Sequence, residues 1–484
     1  MIVIPWLLTV VMAQVPASAA VPLPRDSLVQ CQDCEPRVKH PVRASAEFGT
    51  SLAVPFVVNR YVSNAEWSRV TFATIWRNMR SNVVWDDNDF QTNQLAHPLQ
   101  GAFYFNAFRS NGYSFGASAL AAGAGAYLWE IAGETYPPSA NDLLNTTLGG
   151  IVLGEMMSRL SNLVLDNTAT GSGRVWREIA GFVLSPWNGL NRVTDGRSRT
   201  IAVTPPAWRP AMVQGFLDVG ARLLGTEGSS TDVEESPARN PSINLRFVYG
   251  RPVQDLVGRP FSTFSIGTEL VVGSGRQALQ FLSVSGNLGG SVLHESARAR
   301  HVFAVTMNYD YSFLPNSDTT LNAVIFNYGA QSFTVGVHSA FQLSPNWQLT
   351  TEVLGRGVAL AAVRSDYYDV IDPNESEVSR NYDLGPGVGG RVGAVLVRPG
   401  KALFSLDAGS IWIRTLDGSQ YNHYITTATL GARYFILGDL GVGVSYSYLR
   451  RDSEPVDAST APGPATRLEI PVLRLFLSTA FPNW

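Results

Sequence analysis

The chain has 484 residues with 39 acidic and 36 basic side chains, a formal net charge of −3 and 15% charged residues, against about 25% in an ordinary soluble domain. Mean hydropathy is near neutral at +0.03, so small and uncharged polar residues replace the missing charge, 44 glycines among them. Such a composition excludes a bundle of greasy membrane helices and a charge-rich disordered chain, and the charge balance gives no reason to expect nucleic acid as a partner.

Residues 1–20 read as an export signal. Ile2 to Met12 is apolar apart from Pro5 and Thr9, and Ala17-Ser18-Ala19 supplies small residues for cleavage near Ala19 or Ala20, although no Lys or Arg precedes the run. Residues 21–84 form an N-terminal segment with room for one strand. It holds both cysteines, Cys31 and Cys34, in Cys-Gln-Asp-Cys, which an exported protein uses as a local disulfide or a reducible pair. Haem attachment needs His where Glu35 stands, Gln30 is a poor residue before a lipidated cysteine, and zinc would need two more ligands.

Residues 85–200 read as a helical domain. Trp85 to His97 is polar and irregular, and Pro98 sits in the first turn of a helix. A second helix covers Phe115 to Ala132, Pro137-Pro138 interrupts it, and a third runs from Ser139 or Ala140 to about Leu165. Glu130 and Glu134 lie four apart on one face of an otherwise uncharged helix, where like charges repel unless a cation, a proton or a metal relieves them. His97 and Arg109 are the nearest relieving groups in sequence. Were the helices to sit in or at the mouth of a barrel, one carboxylate could be a general base and His97 a proton shuttle or ligand.

His97, Glu130, Glu134 and Asp142 are therefore the candidate catalytic residues, and Arg109, Asn111, Ser139, Asn141 and Glu155 the candidate binding residues. No H-E-x-x-H spacing supports zinc, and no metal or cofactor is expected. Each group also has a structural use. Ser139-x-x-Asp142 is a capping box, and Glu155 with Arg159 is an i, i+4 ion pair. Gly150-x-x-x-Gly154, with Gly116, Gly123 and Gly125 on the preceding helix, suits close helix contact.

From about residue 210 to 484 the pattern changes to period two. In His301 to Phe313, residues Phe303, Val305, Met307, Tyr309 and Tyr311 share one face, and Thr306, Asn308 and Asp310 the other. Similar segments run Val213 to Arg222, Ala402 to Arg414 and Tyr424 to Phe435, ending with Leu468 to Phe481 and a terminal Pro-Asn-Trp484. Short connections at Pro399-Gly400 and Gly438-Asp439 alternate with long polar ones at Ser365 to Tyr382 and Asp452 to Thr466. The spacing predicts a mainly β protein: a closed antiparallel transmembrane β-barrel of about twelve strands, ten to fourteen, preceded by a helical segment that plugs or docks on it. Closure removes edges that lipid could not satisfy.

The blocks His97-Pro98-x-x-Gly101-x-x-Tyr104, Arg109-Ser110-Asn111-Gly112-Tyr113, Trp129-Glu130-x-x-Gly133-Glu134, Pro138-Ser139-x-Asn141-Asp142, Thr146-Thr147-x-Gly149-Gly150 and Gly154-Glu155 resemble a bacterial outer-membrane family, domain-of-unknown-function family 3943. The resemblance implies an envelope barrel with a polar helical segment before its strands, and no reaction. A looser similarity to membrane proteins with spaced His, Glu and Ser-x-x-Asp suggests a hydrolase-like site by analogy alone. Two readings follow: an outer-membrane barrel of unknown activity with a polar helical plug, serving the Gram-negative envelope as structure, pore or transporter, or an outer-membrane hydrolase acting on lipid or glycan. Outer-membrane lipids and the barrel assembly machinery are the expected partners.

Overall fold

The computed structural model describes residues 38–228, 238–273, 277–315, 324–368, 370–371, 378–459 and 461–481. The export signal, Cys31, Cys34 and Trp484 lie outside them. Two compact units divide the chain. One takes the chain up to Val84 and again from His97 to Ala211, and the other takes Trp85–Ala96 and the chain from Met212 onward.

The first unit is helical: α1 (Pro41–Val57), α2 (Phe72–Asn78), α3 (His97–Arg109), α4 (Phe115–Ala132), α5 (Ala140–Leu144), α6 (Gly150–Val164), α7 (Gly171–Leu184) and α8 (Pro186–Thr194). Helix thus begins well before residue 85, and where residues 21–84 left room for a strand, the described part is helical. Pro41 at the start of α1 costs no hydrogen bond there. Thr71 and Thr74 cap α2 reciprocally, and the Ser114 hydroxyl accepts from Ala117 N–H at the start of α4. The third helix expected from the sequence is two, since Asn145–Gly149 widens into a π turn between α5 and α6.

Helices α3 and α6 meet backbone to backbone. A Cβ on Gly101 would lie 1.8 Å from the Thr146 carbonyl oxygen, and one on Gly150 would lie 2.6 Å from Gly101 Cα. Gly154 receives the Phe105 ring. The small-residue stripe does serve close contact, as its spacing suggests, but the partner of Gly150 and Gly154 is α3. On α4, Gly125 faces Tyr104, Gly123 faces the Thr147 side chain and Gly116 faces open space. The remaining core is apolar, with Tyr104, Phe105, Val152 and Leu163 all buried.

The second unit is a closed twelve-stranded antiparallel barrel: β1 (Val213–Leu224), β2 (Ala238–Tyr249), β3 (Phe264–Val271), β4 (Leu279–Glu295), β5 (Ala299–Pro315), β6 (Val324–Ser344), β7 (Trp347–Arg364), β8 (Tyr382–Arg398), β9 (Ala402–Arg414), β10 (Tyr421–Leu437), β11 (Leu440–Pro455) and β12 (Thr466–Phe481). Each strand pairs with its sequence neighbour, and β1 closes on β12 from Gly215↔Phe481 to Leu224↔Val472. Glu227–Gly228 adds a short extra pairing to β12.

Strand alternation sorts side chains onto two faces. In β5, Thr306, Asn308 and Asp310 point to one face, where Thr306 bonds Thr334 and Asp310 pairs with Arg356. Phe303, Val305, Met307, Tyr309 and Tyr311 take the other, as the sequence pattern requires. The polar face is the interior, because its groups reach across intervening strands. Asp218 of β1 pairs with Arg433 of β10 at 2.6 Å, and Glu269 of β3 with Arg474 of β12 at 2.8 Å. The other face of β7 to β12 and β1 is apolar and open, with Val353, Leu430 and Leu477 each more than half exposed.

The interior is layered. Near the short turns Phe216, Leu403, Phe435 and Ala480 cluster, and near the long loops Phe326, Val363, Ile413, Ile425 and Ile470 belong to a second apolar cluster. The ion pairs lie between them. The β2–β3 loop adds Val253 and Leu256 against Val302 and Ala304, and Asn287 Nδ2 donates to the carbonyls of Leu256, Gly258 and Arg259.

Residues Trp85–Ala96 belong to this unit. Phe90 packs its ring among Tyr311, Phe313 and Tyr382 at centroid distances of 5.5, 6.1 and 5.7 Å. The Tyr309 hydroxyl donates to the Gln94 carbonyl and the Tyr382 hydroxyl to the Asn88 carbonyl. Asp87 pairs with Arg380, which also holds Asp417. The segment is thus strapped to the same face that Phe303 occupies. No helix among the described residues is long and apolar enough to cross a membrane.

Candidate functional site

Apart from Glu134, the candidate residues fall into three buried polar groups of the helical unit, and each group is set by which helix end or turn delivers its side chains. The first surrounds the start of α3 and α5. His97 Nε2 lies 3.5 Å from Asp142 Oδ1, and its Nδ1 lies 3.2 Å from the Thr146 hydroxyl. The Ser139 hydroxyl accepts from Asp142 N–H at 3.2 Å and donates to Asn141 Oδ1 at 2.9 Å, while Asn141 Nδ2 donates to Asp142 Oδ1. The return arm of the capping box comes from elsewhere: the Ser139 N–H donates to Glu130 Oε2 at 2.7 Å. Glu130 reaches across from α4, so Asp142 is left for His97.

The second group joins α3 to α6. Arg109 grips Glu155 with two hydrogen bonds, Nε to Oε2 at 2.7 Å and Nη2 to Oε1 at 3.0 Å, the strong fork geometry of a guanidinium on a carboxylate. Arg159 Nε adds a third at 2.8 Å, the i, i+4 pair expected from the sequence. Burial alone would raise the Glu155 carboxyl, but the two guanidiniums outweigh it and hold it below the usual carboxylate range.

The third group was not legible as a site. Glu47 of α1 is buried, and its Oε2 accepts from Asn111 Nδ2 at 2.7 Å. Asn111 Oδ1 accepts from Arg43 Nε, and Arg43 Nη1 pairs with Asp195 at 2.5 Å. Burial pushes the Glu47 carboxyl up to about 7 despite these donors. The available signal was a single acid in α1, spaced i−3 and i+4 from Ala44 and Ser51, which share its buried face.

Two expected pairings are corrected. His97 lies against Asp142 and Arg109 against Glu155, so the groups nearest in sequence to Glu130 and Glu134 have partners elsewhere. Glu130 turns inward to the Ser139 amide, whereas Glu134 accepts from Trp129 Nε1 at 2.8 Å. Repulsion at i, i+4 is avoided when each carboxylate finds its own donor. The structure brings together His97, Glu130, Ser139, Asn141 and Asp142, places Arg109 with Glu155, sets Asn111 with Glu47, and bonds Glu134 to Trp129. No cluster of three metal-ligating side chains suited to an ion occurs among the described residues.

Residues 82–187 match the model of the domain of unknown function DUF3943. The matched stretch is under a quarter of the chain. It contains all three polar groups except Glu47, Arg43 and Asp195. No curated protein matches the chain. Among solved structures, the NanC porin is 10% identical with a TM-score of 0.25, over 53% of this chain and 98% of its own. A deletion mutant of the TodX monoaromatic hydrocarbon channel is 9% identical at 0.25, over 57% and 91%. The outer membrane channel DcaP of Acinetobacter baumannii is 10% identical at 0.24, over 56% and 96%. Likenesses this faint assign no activity to this chain.

Proposed function

We propose that the protein is an exported outer-membrane component whose barrel is a closed anchor, with the DUF3943 helices as its envelope-facing functional part. The observation that carries the reading is the barrel's cross-section. Its outward face from β7 to β12 is an open apolar surface of Val353, Val388, Leu430, Val442 and Leu477, which lipid would cover at a gain of roughly 25 cal/mol per Å². Inside, Asp218–Arg433 and Glu269–Arg474 span between non-neighbouring strands, and apolar clusters occupy both ends.

A lumen crossed in this way favours an anchor over an open diffusion pore. It also supports outer-membrane lipids and the barrel assembly machinery as partners, since a closed barrel of even strand number is the form such membranes hold. Within the helices, every candidate group already has a structural partner, which favours a folding role for His97, Asp142, Arg109 and Glu155 over hydrolysis.

Two measurements test this. Fractionation of cells expressing the full chain is expected to place it in the outer membrane with heat-modifiable migration, and a soluble or inner-membrane fraction would overturn the location. Reconstitution into planar bilayers is expected to give no steady conductance. Porin-like steps from the wild-type protein would overturn the closed lumen while leaving the location intact.

A further inference from the structure

Three strands of the barrel place a serine, a histidine and an aspartate in line just beyond the loop-end apolar cluster. His423 stands directly opposite Ser453 in the β10–β11 register, and its Nδ1 lies 2.9 Å from the Ser453 hydroxyl oxygen. Its Nε2 lies 2.9 Å from Asp383 Oδ2 on β8. All three side chains are buried. We infer that Ser453, His423 and Asp383 form a nucleophilic triad that cleaves a carboxylic ester, an activity separate from anything the DUF3943 helices do.

The chemistry follows from the hydrogen bonds. Asp383 accepts from Nε2–H, so the ring proton is held there and the Nδ1 lone pair faces the Ser453 O–H. A nucleophile and base within 3.2 Å, the base oriented by a third group, is the arrangement that activates a hydroxyl. Asp383 is itself fixed by the Ser419 N–H at 2.7 Å and the Ser419 hydroxyl at 2.5 Å. The turn that brings Ser419 there needs Gly418, whose φ is +124° and whose Cβ, if present, would fall 2.1 Å from Asp383 Oδ1. Below lie Ile413 and Ile425, a dry floor that strengthens each polar contact.

Two further groups on the interior side of this end are buried without a hydrogen-bond partner, Arg451 Nε and the Thr415 hydroxyl. Arg451 is two residues before Ser453 on the same strand face, so its unused N–H is a donor for the charge that develops on an attacked carbonyl oxygen. Ser365 donates to Ser419 at 2.9 Å, and Tyr367 stacks on Tyr421 at 5.5 Å.

In the first step the Ser453 proton passes to Nδ1 as Oγ bonds the acyl carbon and the carbonyl electron pair moves to oxygen. Collapse breaks the ester C–O bond, and Nδ1–H returns its proton to the leaving alkoxide. Water then attacks the Ser453 ester by the same route, releasing the carboxylic acid and restoring the hydroxyl.

The test uses the full-length protein in detergent micelles, with a fluorophosphonate probe and p-nitrophenyl butyrate as ester. Labelling at Ser453 and ester turnover are expected in the wild type, absent in Ser453→Ala and unchanged in Ser410→Ala on the outward face. His423→Gln is expected to lower turnover by about 10³-fold or more. Heat-modifiable migration verifies folding of each variant. Labelling that survives Ser453→Ala, or no labelling and no turnover in the folded wild type, would overturn the inference without touching the closed-anchor reading.

Discussion

Replacing Gly101 by Ala probes the contact on which the DUF3943 helices depend. The new Cβ would sit 1.8 Å from the Thr146 carbonyl oxygen and 3.0 Å from Gly150 Cα. Ordinary contact is near 3.4 Å, so α3 and the π turn before α6 must part by about 1.5 Å, and neither partner atom is a flexible side chain. Overpacking of this kind costs about 1–3 kcal/mol, and parting the helices also strains the Asn106–Gly154 bond of 3.1 Å and the Arg109–Glu155 fork. Ala gains about 1 kcal/mol of helix propensity over Gly, which leaves a net loss of up to about 2 kcal/mol. For a unit of this size that is a fall of about 4–8 °C in the helical melting transition, followed by circular dichroism at 222 nm on the full chain. Gly116→Ala is the internal control, because nothing lies within 4 Å of its Cβ position. It should be neutral or stabilising. If Gly101→Ala melts with Gly116→Ala, the backbone contact does not support the unit and the reasoning fails.

The Glu47 carboxyl, raised by burial to about 7, keeps its proton in the fold over a range where the unfolded chain has lost it. Stability of the helical unit should therefore fall as pH rises from about 4.5 to about 7 and level off above, by at most about 3 kcal/mol; melting curves of Glu47→Gln should lack that slope, and an unchanged slope would assign it elsewhere. Arg109→Ala leaves Glu155 buried with Arg159 alone and should cost about 3–5 kcal/mol, with Arg109→Lys intermediate because an ammonium cannot form the fork. A melting temperature for Arg109→Ala equal to that of the wild type would contradict it. Phe90→Ala empties the space among Tyr311, Phe313 and Tyr382 at a cost of about 3–5 kcal/mol, so limited proteolysis should cut between Trp85 and Ala96 sooner than in the wild type.

Periodicity carried most of the barrel. Alternation in Ala299–Pro315 and in the final strand needs only the two-residue repeat of a pleated strand, and this local rule survives any tertiary context. Turn chemistry did the same at Pro399-Gly400 and Gly438-Asp439, both of which are hairpin ends. The helix end at Ser139 was legible because a cap is a contact within four residues. The capping box at Ser139 was half legible: its first arm is local, whereas its second comes from Glu130 nine residues away.

Pairing between distant groups had no such signature. Arg109 and Glu155 are 46 residues apart, and His97 and Thr146 are 49 apart; only the approach of α3 to α6 through Gly101 and Gly150 decides that these four meet in two separate pairs. The same holds across the barrel, where Asp218 and Arg433 are separated by 215 residues and their pairing depends on strand count and closure. By itself the amino-acid order determined a mainly β barrel with a helical segment before it, since alternation and capping are written at short range. Only the tertiary structure decided that the barrel interior is filled, that Trp85–Ala96 joins the barrel and not the helices, and that Ser453, His423 and Asp383 stand in line, because each depends on which strands closure makes neighbours.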